Sequence, residues 1–222
     1  MKKTNQKGGL SILEQNQTFT SIKHHIAVHL SQIIDETQTM RNSLGEKEYC
    51  LLCELAHIRD LFNEIQSSAS FFYLKAYIEK FTTQYIEIAK AIQNLAEKRH
   101  GALIVVEREN PVSGHIQGGI PLNATISNRL IESIFYPGNP LHDGAIIVKG
   151  DYIISAANVL PLTNQDFGSE KVGTRHRAGI GLTEMTDALV LIISEETGKM
   201  SFALGGILYP IISPESLSLI HI

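Results

Sequence analysis

The chain has no apolar run long enough to cross a bilayer, and its lysine-bearing start carries no hydrophobic signal region. A cytoplasmic location with no membrane partner is the expectation. Excess positive charge is absent too: 19 Lys and Arg against 23 Asp and Glu leave a formal charge of −4, with a pI near 6.1. That balance gives no electrostatic reason to hold a nucleic acid polymer, so any nucleotide partner is small. Cysteine is scarce. Cys50 and Cys53 have no second pair to complete a zinc site, and they read as buried structural thiols on a helix. No internal repeat or low-complexity tract appears.

What is present is 43% hydrophobic residues in a chain of 222, enough for one ordinary domain and a smaller helical piece. Residues 1–9 read as a polar tail. Over residues 11–40, Ile22, Ile26, Leu30, Ile33 and Ile34 recur at helical spacing, and Leu52, Leu55, Ile58, Leu61 and Ile65 repeat it over 46–66. Two such helices on a short connection predict an N-terminal antiparallel hairpin. Its apolar stripe needs the following domain or another subunit to cover it. The small-residue run Ser67-Ser68-Ala69-Ser70 marks a boundary by composition, giving an assembly or regulatory piece over 1–67 and a second domain over 68–222.

A third helix is expected over 71–98, running through Gly101 into a buried strand at 102–106. A short strand or loop follows at 114–120, with Gly118-Gly119 read as a turn rather than a phosphate loop, and then a helix at 124–135. Residues 144–149 and 152–160 predict a hairpin turning on Gly150-Asp151, and 188–194 and 200–209 each predict one further strand. The fold class is therefore α/β in its mixed form (α+β): a mixed β-sheet flanked by helices and preceded by the helical hairpin.

Two stretches put charge and glycine where a core element would put aliphatic side chains. The first is Leu141-His142-Asp143-Gly144-Ala145, behind the turn Pro137-Gly138-Asn139-Pro140 and ahead of Ile146-Ile147-Val148. Asp143 thus stands at the mouth of a strand, able to bind a divalent cation, accept a hydroxyl proton or cap its own turn. The second is Gly173-Thr174-Arg175-His176-Arg177-Ala178. Thr174 is placed to N-cap a helix over 175–185, whose amides and forked guanidinium groups suit a polyphosphate. A solvated surface turn is the alternative.

These two stretches, with Leu160-Pro161-Leu162 between them and Ser194-Glu195-Glu196-Thr197-Gly198 after them, resemble the diadenylate cyclase domain, which condenses two ATP into cyclic di-AMP. The resemblance covers about residues 71–209, in the family's order and spacing. One departure is visible: Ala178-Gly179 stands where the family usually has two alanines, which weakens the helix by about 1 kcal/mol and removes no functional group. The N-terminal hairpin is most similar to that of the sporulation-type diadenylate cyclases.

The resemblance implies roles. Asp143, Thr174, Arg175 and His176 are the expected catalytic set. Gly144, Ala145, Leu160, Gly173, Arg177, Ser194 and Glu195 join the last three as ATP contacts, with Leu160 lining the adenine slot and Arg177 either joining the phosphate seat or supporting its loop. A divalent cation, Mg²⁺ or Mn²⁺, is expected on His142, Asp143 and Glu195. A ring made from two identical halves needs two attacks, yet each motif occurs once. Two protomers facing across a two-fold axis, within a dimer or a larger assembly such as a hexamer, are therefore expected. Two other readings are a non-catalytic ATP sensor and a metal-dependent nucleotide hydrolase.

Overall fold

The computed structural model describes residues 12–44, 50–168 and 172–211. The expected tail at 1–9 lies outside them. The chain divides into two units that part between Phe72 and Tyr73.

In the first unit, α1 (Ile12–Asn42) and the greater part of α2 (Leu51–Ile78) carry the two predicted amphipathic patterns. Met40, Leu61 and Ile65 are buried, and His57 Nε2 lies 3.2 Å from Glu36 Oε1, joining the two helices near their connection. Several apolar side chains stay out in solvent, among them Ile34 at 55%, Leu52 at 79% and Phe62 at 57% exposure. The stripe is thus only partly covered by its own hairpin.

One expectation fails here. Cys50 and Cys53 are exposed, not buried, and a disulfide joins them across the first turn of α2, their Cα atoms 5.3 Å apart. Residues three apart on a helix lie within bridging reach, so the spacing that suggested two inert thiols also permits a pair. The Ser67–Ser70 run lies inside α2, which continues through it because a few mid-helix serines cost only tenths of a kcal/mol each, and the two units part just after it.

The expected long third helix is in fact the end of α2, a break, and α3 (Tyr85–Glu97). Asp151 makes the break. Its carboxylate accepts from Thr82 Oγ1 (2.9 Å), Thr83 N (2.7 Å) and Thr83 Oγ1 (2.8 Å), drawing the backbone out of helical register. Thr82 Oγ1 in turn accepts from Gln84 N at 3.0 Å, just ahead of α3.

The second unit is built on a seven-stranded sheet. Its strands are β1 (Ala102–Val106), β2 (Gln117–Thr125), β3 (Ala145–Lys149), β4 (Tyr152–Val159), β5 (Leu189–Ile193), β6 (Met200–Leu204) and β7 (Ile207–Ile211). The order is β2-β4-β3-β1-β5-β6-β7, with β1 and β3 parallel and all other neighbours antiparallel. The mixed sheet is as expected. All five residues of β1 and of β5 are buried, which is why these strands read as unbroken apolar runs.

The other helices are α4 (Asn128–Ile134) and α5 (Thr174–Met185). On one face of the sheet Leu103, Val105, Ile147, Val190 and Ile192 pack with Ile180 and Leu182 of α5. α4 is shorter than expected, because Ser127 Oγ caps it, accepting from Leu130 N at 3.2 Å. Gly118 and Gly119 are not a turn: they lie inside β2, paired in register with β4 at φ of 68° and 97°. The stretch expected as one last strand is a hairpin, β6–β7, closing on Gly205 and Gly206 at φ 58° and 76°, where side-chain-bearing residues are strained.

Candidate active site

The sheet register brings the two charged stretches together. Ala102, which opens β1, pairs with Ile193, which ends β5, and Ala145, which opens β3, pairs with Asn158 near the end of β4. Since β1 and β3 are parallel, one end of the sheet carries Gly101, Asp143-Gly144, Leu160 and Ser194-Glu195 at once. The start of α5 reaches the same end: Arg175 Nη1 donates to Glu195 Oε2 at 2.8 Å, and its guanidinium lies over Gly101.

Asp143 is exposed, with its carboxylate engaged by no described residue. Behind it, Gly144 has φ +117°, and a β-carbon there would lie 2.8 Å from the backbone of Ala157 and Asn158. Only glycine allows strand β4 so close. Asn158, 1% exposed, holds this corner: its Nδ2 donates to the Ala145 carbonyl at 2.8 Å while its Oδ1 accepts from Ser155 Oγ at 3.0 Å. His142 is half-buried, its Nδ1 2.5 Å from the Asn139 carbonyl. A carbonyl only accepts, so Nδ1 carries a proton, and in the neutral tautomer Nε2 is the nitrogen with the lone pair.

The predicted cap at Thr174 shifts by one residue. Gly173 is the N-cap, with no side chain to accept from the helix, and Thr174 is the first helical residue, exposed. Having no Cβ or hydroxyl at the cap leaves the opening amides of α5 without intrahelical or side-chain acceptors, as an anion seat requires. Burial, and then the charge of Arg175, push the His176 imidazole below its ordinary value and keep it neutral at pH 7. The hydrogen bond from Arg175, and then its charge, hold the Glu195 carboxyl below the usual carboxylate range; His142 and His100 add smaller pulls, so both rings lie within electrostatic reach.

Arg177 turns away from this seat. Its Nη2 donates to the Thr163 carbonyl at 3.2 Å and its own carbonyl accepts from Thr163 N at 3.0 Å, bracing the loop after Leu160. Of the two roles open to it, the geometry favours loop support. Leu160 is 6% exposed and part of the core beneath α5. Ser194 Oγ accepts from Thr197 N at 3.3 Å, which leaves its hydroxyl hydrogen free to donate, and Glu196 is exposed.

Three supports escaped the sequence reading: Gly101 under Arg175, Asn139 behind His142, and Asn158 beside Gly144. Asn158 alone had a local signal, as an amide two residues from Ala156 and Leu160 on the apolar face of its strand, where an unpaired polar group would be costly.

The donors suit a hard divalent cation only in part. His142 Nε2 and the Asp143 carboxylate are available, whereas one Glu195 oxygen is taken by Arg175. No three His, Cys, Asp or Glu side chains among the described residues close into a metal cluster. Such an open set fits Mg²⁺ or Mn²⁺, which take one or two protein ligands and let a nucleotide's phosphates complete the shell.

Comparison with known proteins places the chain in a family. Residues 89–208 match the family described as DisA bacterial checkpoint controller nucleotide-binding, and residues 13–81 match that described as diadenylate cyclase CdaS, N-terminal. The chain is 55% identical to the cyclic di-AMP synthase CdaS of Bacillus subtilis over 88% of its own length and 94% of the relative's. It is 46% identical to the diadenylate cyclase CdaS of Bacillus thuringiensis over 86% and 96%. A crystal structure of a Bacillus cereus protein, described as a hypothetical membrane spanning protein, superposes with a TM-score of 0.71 at 44% identity, covering 92% of this chain and all of that one. No described helix of this chain is long and apolar enough to cross a membrane. On the sheet-end site and on these matches over both of its parts, the chain belongs to the diadenylate cyclase family.

Proposed function

We propose that this chain condenses two ATP into cyclic di-AMP, releasing two pyrophosphates. The observation that carries the reading is the convergence of a free carboxylate, Asp143, with an uncapped helix start bearing Arg175 and His176 at one end of the sheet. The triphosphate lies on the opening amides of α5 with Thr174, Arg175 and the Ser194 hydroxyl, and the adenine lies against Leu160 and the Gly144-Ala145 backbone. Asp143 takes the proton from a ribose 3′ hydroxyl. That oxygen then bonds to the α-phosphorus of the second nucleotide, and pyrophosphate departs with the electron pair of the broken P–O bond. A second, identical attack closes the ring.

A divalent cation on His142 and Asp143, with the remaining Glu195 oxygen, would offset triphosphate charge and ease loss of the hydroxyl proton. Arg175, tied to Glu195 at 2.8 Å, is already aimed before substrate arrives. Because each chain carries one set of these groups, the two nucleotides sit on two protomers that face across a two-fold axis. The exposed apolar side chains of α1 and α2 suit residues 1–67 to assembly and to limiting that facing, leaving residues 68–222 as the cyclase domain. The work is placed in the cytoplasm, where ATP is supplied.

Incubating the purified chain with ATP and Mg²⁺ or Mn²⁺ and separating the products tests the reading. Cyclic di-AMP with two equivalents of pyrophosphate is expected; unchanged ATP would leave a nucleotide sensor, and AMP or ADP a hydrolase.

A further inference from the structure

The cleft between the end of α3 and α4 holds chemistry that the reaction above does not use. It is open to solvent, with a volume of about 590 Å³, and its lining includes Lys98, His100, Arg129, Glu132, Tyr136 and Asn139. Its one acid is already spoken for: Glu132 accepts from Asn94 Nδ2 at 2.7 Å and Lys98 Nζ at 2.8 Å. Arg129 forms no ion pair with any described residue and remains a free, permanently charged fork. The His100 and Tyr136 rings, edge to face at 5.6 Å, make one wall. The net character is cationic, with room for a small polyanion.

Two chain connections fix this cleft beside the site. His100 directly precedes Gly101, the floor under Arg175, and Asn139 holds the Nδ1 hydrogen of His142. His100 is also near enough to act on the Glu195 carboxyl. An anion in the cleft therefore neighbours the triphosphate seat without occupying it.

We propose that the α3–α4 cleft is a diphosphate station, where Arg129, with Lys98 beside it, receives the pyrophosphate that leaves the α5 seat. In a facing pair the front of each nucleotide is covered by the other protomer, so the leaving group needs a lateral way out, and the cleft offers the cations for it. The identity of the anion and its need for a lateral exit rest on the cyclase reading; the cationic cleft does not. The same chemistry has a second source, the β,γ-phosphates of ATP still in place, and the test separates them.

The full chain is saturated with α,β-methylene-ATP, which fills the seat and cannot release pyrophosphate, and inorganic pyrophosphate is titrated in by calorimetry. Pyrophosphate is expected to bind still, and Arg129→Ala to weaken it at least ten-fold while the analogue's Kd moves less than two-fold and Arg129→Lys restores most of the loss. No pyrophosphate binding to the saturated protein overturns the proposal. So does equal binding by Arg129→Ala. A loss of analogue affinity in step with pyrophosphate also overturns it, since the cleft is then part of the ATP seat. If the wild type binds pyrophosphate through Arg129 yet makes no cyclic product from ATP, the station stands and the cyclase reading falls.

Discussion

Arg175 and Gly101 share one space: the guanidinium Cζ lies 2.5 Å from where a β-carbon at position 101 would stand. The glycine is thus the seat on which the arginine is aimed, and the same arginine is held from its other side by Glu195 at 2.8 Å. Gly101→Ala should push the guanidinium off its seat and lower kcat/KM on the order of 10²-fold, as ångström misplacements of catalytic groups do. The long side chain yields before the sheet does, so the melting temperature should change little. Steady-state kinetics beside a thermal melt check this; a variant with unaltered kinetics would show that Arg175 needs no such seat.

Asp143→Asn keeps the size and loses the base. Cyclic di-AMP synthesis should drop by about 10²-fold or more, while ATP binding measured by calorimetry stays within a few-fold of wild type. Synthesis at the wild-type rate removes the proton-accepting role from Asp143.

Gly179 lies inside α5, and Ile192 Cδ1 lies 2.7 Å from where a β-carbon would be. The core has filled the gap. Gly179→Ala therefore gains about 1 kcal/mol of helix propensity but meets an overpacking cost of about 1–3 kcal/mol. Ile192→Val alone should cost about 0.5–1.5 kcal/mol. Together they should be more stable than the sum of the two, and denaturant unfolding of all four chains measures the coupling. Strict additivity would mean that Ile192 relaxes freely.

His176 has its folded value pushed below the ordinary 6.5. The unfolded chain then binds the proton more readily, so this contribution to stability is whole above about pH 6.5 and is lost as pH falls toward the folded value. Urea midpoints should decline from pH 7 to pH 5.5, and His176→Gln should flatten that decline. The lowered carboxyls of Glu195, Asp151 and Glu132 act in the same sense but only in a more acidic window, below their unfolded values near pH 4. An unchanged slope in His176→Gln would assign the decline to other groups.

Removing the residues before Ser67 should raise the turnover of cyclic di-AMP per chain if the hairpin limits productive facing. Lower or equal turnover, with the oligomeric state followed by light scattering, counts against restraint.

Much of the candidate site is legible in the sequence because its side chains are misfits there. Asp143, Arg175 and His176 interrupt apolar or helical patterning, and β1 and β5 announce themselves as unbroken apolar runs. The break between α2 and α3 was hidden because its cause, Asp151, lies 68 residues from Thr83. No local window contains both partners. Gly101 was passed over for a related reason: a glycine before a strand looks like punctuation until the arginine above it is placed. The β6–β7 turn did have a local signal in Gly205-Gly206, outweighed by the apolar residues on both sides. Spacing alone does not tell a shielded helix face from an open one, which is why Cys50 and Cys53 read as buried thiols when they are an exposed disulfide.

The site at the sheet end draws on residues from Gly101 to Glu195, each brought in by a different strand or helix start. During translation, then, the ribosome must release nearly the whole domain before the reacting groups can meet. On the proposed reading no shorter nascent chain holds the whole site, and synthesis of the messenger waits until the last contributing strand has left the exit tunnel and joined the sheet.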